Sequence, residues 1–216
     1  MNGAGTMASD EDDAFLLDDL DEVTPRGIAE DDRRMLERQR HFRLAADAVT
    51  AAFMAFPEVA AVALFGSAAV PLRREVPRFR PYRRRRISLW HECMDVDLAL
   101  WLDRLDGLQA LNRARNRAVQ RLYDETGVGV AQHQVDVFVL RAGTNDYLGR
   151  LCLFGQCPKG KIECVVPGCG RPQFLRQHSG FRLRRDALAE GKIMRLYERG
   201  AGLLRRAADT PPSGVA

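Results

Sequence analysis

Residues 94–102 read MDVDLALWL, and residues 133–140 read HQVDVFVL. Each turns apolar after a polar start, the pattern of a strand that is buried along most of its length. Asp95 and Asp97 bracket one valine at the head of the first stretch, and Asp136 interrupts the apolar run of the second. Side chains two apart on a strand point to the same face, so Asp95 and Asp97 project together. An aspartate inside VDVFVL is hard to read as packing, because an unpaired buried carboxylate costs several kcal/mol. Two carboxylate-bearing strands therefore frame the fold.

Upstream, Val59–Phe65 is a short apolar run between Pro57 and Gly66 and reads as a further buried strand. Before it, Phe42, Ala45, Val49, Phe53 and Phe56 recur at helical spacing, which predicts a helix over residues 29–56 that Pro57 stops. Between the carboxylate strands, Leu108, Leu111, Ala118 and Leu122 predict a helix over residues 105–123, ended by Gly127 and Gly129. Residues 186–205 read as a last, basic helix. This alternation predicts an α/β (α+β) chain with no internal repeat.

The composition limits what such a chain can be. Its 216 residues suit one domain with a small accessory module, and 46% apolar content is enough for a sizeable core. No apolar run approaches the roughly 20 residues of a membrane span. No Lys or Arg precedes Arg26, so the basic start of a secretory signal is missing. No membrane partner and a cytoplasmic location are expected.

The charge is unevenly spread. Residues 1–24 carry eight acidic side chains and no basic one, which leaves 33 basic against 21 acidic groups in the rest. The body is thus basic enough to attract phosphates. Residues 1–24 read as an acidic disordered tail, able to lie on that body as a polyanion mimic, with Met7 an alternative start. A core follows over 25–148, then a Cys-rich module over 149–185, the helix, and a tail over 206–216 that should fray.

The chemistry gathers at strand ends. Gly66 and Ser67 follow the first strand in FGSAA, where a glycine lets the backbone approach a phosphate and the serine hydroxyl can bond it. A third carboxylate beside Asp95 and Asp97 would complete a cluster that is intolerable without cations. Hard divalent ions such as Mg²⁺ accept an all-oxygen shell and keep positions for water and phosphate oxygens.

FGS, DVD and VDVF, in that order after a leading helix, resemble the nucleotidyltransferase superfamily typified by DNA polymerase beta. Poly(A) polymerases, CCA-adding enzymes and small prokaryotic nucleotidyltransferases are among its members. The resemblance covers about residues 30–140. It implies a small mixed sheet flanked by helices, with an active site at one edge. Gly66 and Ser67 would grip a nucleoside triphosphate. Asp95 and Asp97 would ligate two Mg²⁺ or Mn²⁺ ions. Asp136 would hold the catalytic ion and help deprotonate an acceptor hydroxyl. The implied reaction transfers a nucleoside monophosphate from an NTP and releases pyrophosphate.

The chain departs from that pattern at residues 68–94, where small members use a much shorter connection. This insertion holds eight arginines, among them Arg83, Arg84, Arg85 and Arg86, with Phe79, Tyr82 and Trp90 interleaved. Arginines among aromatics suit phosphate contacts, which points to RNA or another polyanionic acceptor. Two other readings stand beside transfer: a non-catalytic nucleic-acid-binding module, and an antitoxin-type nucleotidyltransferase acting on a protein partner.

Cys152, Cys157, Cys164 and Cys169 form a C-x4-C-x6-C-x4-C pattern. In a cytosolic chain, four clustered thiols suggest a tetrahedral, structural Zn²⁺ site. Cys152 sits among Leu151, Leu153 and Phe154, so the alternative is that it packs in the core, with His178 the substitute ligand. Cys93, His91 and His133 read as packing or strand-end residues.

Overall fold

The computed structural model describes residues 23–157, 169, 172–178 and 180–211. The first helix, α1, spans Pro25–Phe53. Thr24 caps it by accepting from the Gly27 amide over 3.1 Å, and Pro25 occupies a first-turn position where no amide is needed. It stops three residues short of Phe56, the expected end: Pro57 disfavours helical geometry in Phe56, whose amide donates instead to the Phe53 carbonyl in a tighter three-residue turn.

The strand β1 (Val59–Phe65) leads into a 3-10 turn at Gly66–Ala68. The arginine-rich insertion then forms a small hairpin of β2 (Arg74–Glu75) and β3 (Leu89–Trp90), with the short helix α2 (Arg80–Arg85) between them. Strand β4 (Val96–Leu102), helix α3 (Leu108–Thr126) and strand β5 (Val135–Arg141) follow as a parallel crossover unit. After them come β6 (Tyr147–Leu151), β7 (Leu175–Arg176), β8 (Met194–Glu198) and β9 (Gly202–Leu203). One mixed seven-stranded sheet results, in the order β7-β6-β5-β4-β1-β8-β9.

Alternation along the strands sorts the core into two layers. Val62 and Leu64, Leu98 and Leu100, and Val137 and Val139 point toward α1 and α3, where Phe42, Val49, Phe53, Leu111 and Val119 cover them. On the opposite face, Ala63, Phe65, Ala99, Trp101, Phe138 and Leu140 pack beneath Phe181, Leu188 and Ile193. Burying both faces is why the central strands read as nearly continuous apolar runs.

Two terminal expectations need correction. The helix expected over 186–205 is instead a 3-10 turn at Arg185–Leu188 followed by β8 and β9. Gly191, Gly200 and Gly202 adopt φ of +82°, +95° and +81°, which interrupts any helix. The edge of β1 would otherwise lie unpaired, and β8 fills it from Ala61 to Leu64. Residues 206–211 are held in place where fraying was expected. The Ala207 and Ala208 amides donate to the Asp47 carboxylate at 2.6 and 3.0 Å, and Arg43 donates to the Thr210 carbonyl at 3.0 Å.

Among the described residues, no helix is long and apolar enough to cross a membrane.

Candidate metal centre

Asp97 and Asp136 are register partners on the parallel strands β4 and β5, so their side chains leave the sheet on one face, away from α1 and α3. Asp95 joins them from just before β4. One carboxylate oxygen from each lies within 4.8 Å of the others. Among the described residues, this is the one group of three or more His, Cys, Asp or Glu side chains close enough to hold an ion.

The electrostatics are those of a cation site. Burial first, then the charges of Asp95 and Asp136, pushes the Asp97 carboxyl up to about 7. Burial and Asp136 likewise raise Asp95. Arg150 on β6 opposes both shifts and donates from Nη1 to Asp136 Oδ2 at 2.6 Å. A divalent ion with bonds of 2.0–2.6 Å spans ligand oxygens up to about 5 Å apart, so the triad fits a hard cation.

The Gly66–Ala68 turn closes the other side. Gly66 has φ +73°, and a Cβ added there would sit 2.5 Å from Asp97 Oδ2. Only glycine combines that backbone with that approach. Ser67 is half-buried, and its side chain hydrogen-bonds the Cys93 thiol, whose titration burial pushes up.

Two side chains of α1 hold this turn from behind. Gln39 donates to the Ser67 and Val70 carbonyls at 3.1 and 2.8 Å, and buried Arg43 donates to the Ala68 carbonyl at 2.9 Å. Neither was legible as a site residue, since both look like the polar face of a helix. Their signal is that they fall in register with Phe42 and Ala46 on the buried side. Arg150 was missed as well.

No family model, no curated protein and no solved structure matches this chain. The site therefore rests on its own geometry.

The remaining expected residues fall elsewhere. Arg83, Arg84, Arg85 and Arg86 are exposed on and just after α2. His91 bonds the Glu75 carboxylate at 2.8 Å, and His133 is exposed. Cys152 is buried in the core beside Leu151 and Leu175, and its carbonyl accepts from the buried Arg115 at 3.2 Å. Cys157 and Cys169 are half-buried, and Cys164 lies outside the described residues. His178 Nε2 lies 3.1 Å from Arg176 Nη2. Cys152, Cys157, Cys169 and His178 do not gather into a three-ligand group.

Proposed function

We propose that this chain is a metal-dependent nucleotidyltransferase, with Asp95, Asp97 and Asp136 as its catalytic carboxylates. The single observation that carries the reading is the cross-strand pairing of Asp97 with Asp136, with the Gly66 turn against Asp97. The mixed sheet with its helices on one face, and the order FGS, DVD, VDVF along the chain, agree with the nucleotidyltransferase resemblance.

Two Mg²⁺ or Mn²⁺ ions, when bound, neutralise the carboxylates, activate the attacking oxygen and stabilise the leaving one. Asp95 and Asp97 would hold both ions, and Asp136 would help hold the catalytic one. The Gly66 turn and the Ser67 hydroxyl bind the triphosphate. Asp136 takes the proton of the acceptor hydroxyl. That oxygen bonds the α-phosphorus, the bond between it and the bridging oxygen breaks, and pyrophosphate leaves.

The exposed arginines of α2 favour a polyanionic acceptor such as RNA. A structural Zn²⁺ on Cys152, Cys157, Cys164 and Cys169, with His178 as substitute, belongs to the same proposal. It would require the described ligands to draw together from their present positions. The proposed compartment is the cytoplasm. The antitoxin-type and non-catalytic readings share the fold and differ in acceptor or turnover.

The test is incubation with each labelled NTP, Mg²⁺ or Mn²⁺ and cell extract. Label transfer should occur with the natural chain and disappear in Asp95→Ala and Asp97→Ala, with far-UV circular dichroism unchanged. Full turnover in the double variant would end the enzyme reading.

A further inference from the structure

We propose that residues 10–22 dock in cis on the arginine face of α2, covering it against other polyanions. The docking stands on charge and geometry alone; its effect on an acceptor rests on the function proposed above.

The arginine face is a fixed surface. Tyr82 donates to the Asp31 carboxylate of α1, and Arg74 donates to Asp32 at 2.7 Å while stacking on Trp90 at 4.9 Å. The Trp90 amide closes the clamp on Asp32 at 2.8 Å. These contacts also occupy the acids of α1 that lie nearest α2, so their charge is already answered. By contrast, Arg78, Arg80, Arg83 and Arg86 are exposed and have no ion-pair partner among the described residues.

The chain arrives on this face. Arg85 Nη1 donates to the Val23 carbonyl at 3.2 Å, which sets residue 23 beside α2. Immediately before it come Asp18, Asp19, Asp21 and Glu22, and before those Asp10, Glu11, Asp12 and Asp13. Five residues of extended chain reach about 18 Å, whereas a six-residue helix is about 9 Å long. A tether of that length from the Val23 anchor is therefore long enough for the nearer four acids to reach any arginine of α2.

Each exposed ion pair is weak. Several on one short tether are not independent, because the first contact holds the others at a high effective concentration. Salt screens such a contact over about 10 Å at 0.1 M, so docking is strong at low ionic strength and lost at high. A polyanion that must displace this segment binds less tightly than the bare face allows.

The test compares the natural full chain with one carrying Asp18→Asn, Asp19→Asn, Asp21→Asn and Glu22→Gln. Trypsin cleavage within Arg83 to Arg86 should be several-fold faster in the neutralised chain at low salt. The difference should vanish at high salt, and cleavage at Arg205 and Arg206 should be equal in both. A fluorescent oligothymidylate should also bind the neutralised chain several-fold more tightly. Equal cleavage rates at low salt would overturn the docking, and protection that grows with protein concentration would overturn its being in cis. Protection without oligonucleotide binding to either chain would uphold the docking and remove the polyanionic acceptor.

Discussion

Arg150 donates to Asp136 across the antiparallel pair of β5 and β6, and its guanidinium lies 4.3 Å from the Phe138 ring centroid. Phe181 lies against the same guanidinium at 5.0 Å. Asp136 thus has a cation of its own, whereas Asp95 and Asp97 receive that charge without a hydrogen bond. In the metal-free cluster one arginine answers three carboxylates, and the carboxyls of Asp95 and Asp97 are pushed up.

That division sets the pH behaviour of the metal-free protein. Asp97 is pushed up to about 7 from an ordinary 3.8, so the folded state binds its proton more tightly than the unfolded state does. Its contribution to stability is therefore fullest below about pH 4 and is lost as pH rises toward about 7. Asp97→Asn should raise the Tm in EDTA at about pH 8 and leave it nearly unchanged at about pH 4, with each kcal/mol recovered worth roughly 2–4 °C. Equal shifts at both pH values would contradict the assignment.

The same proton competes with a metal. Binding of Mg²⁺, followed by calorimetry in buffers of different ionisation enthalpy, should release a proton near neutral pH and tighten as pH rises through about 7. Binding independent of pH in that range would place the ion elsewhere.

Gly66 and Gly127 have matching backbones, with φ of +73° and +71°. They differ in surroundings: a Cβ on Gly127 meets nothing within 4 Å, while one on Gly66 meets Asp97. Both alanine variants should lose about 1–2 kcal/mol for the left-handed backbone. Only Gly66→Ala should also weaken Mg²⁺ binding and abolish transfer. Identical metal affinities in the two variants would show that the turn does not touch the site.

The Zn²⁺ proposal is checked by elemental analysis of the purified chain, which should hold about one zinc, with thiolate ligation tying the metal to stability. A strong chelator should then lower the Tm. Four freely titrating thiols among Cys152, Cys157, Cys164 and Cys169, with no zinc, would remove the site. Loss of zinc on Cys152→Ser but not on His178→Ala would settle the fourth ligand, and would require Cys152 to leave its buried position.

Converting Arg83, Arg84, Arg85 and Arg86 to Ser should weaken binding of a polyanionic acceptor and flatten its salt dependence. Each lost phosphate contact lowers the log–log slope by about 0.7 for a single strand. A raised Michaelis constant for NTP with unchanged acceptor binding would assign these arginines to the triphosphate instead.

Much of the core is written in local pattern. Val59–Phe65 and Val96–Leu102 form the strands that their apolar runs predict, and β5 extends its expected run by one residue to Arg141. The periodic positions Phe42, Val49, Phe53, Leu108 and Leu111 are all buried. Such runs announce themselves because burial on both faces, or on one helical stripe, dictates residue type at every position. The carboxylates stand out for the same reason, as charges within segments that otherwise exclude them.

What lay beyond local pattern depends on partners distant in the chain. Residues 194–198 become a strand because the edge of β1 is there to pair them, and Met194, Leu196 and Tyr197 are buried only in that place. Arg150 is one arginine among many until β6 sets it beside Asp136, and Gln39 and Arg43 are surface-like until α1 turns them toward Gly66–Ala68. By itself the sequence determined which residues must be buried and which charges interrupt them. Tertiary structure alone decided which of those charges meet, because cross-strand register and helix rotation are set by the whole core.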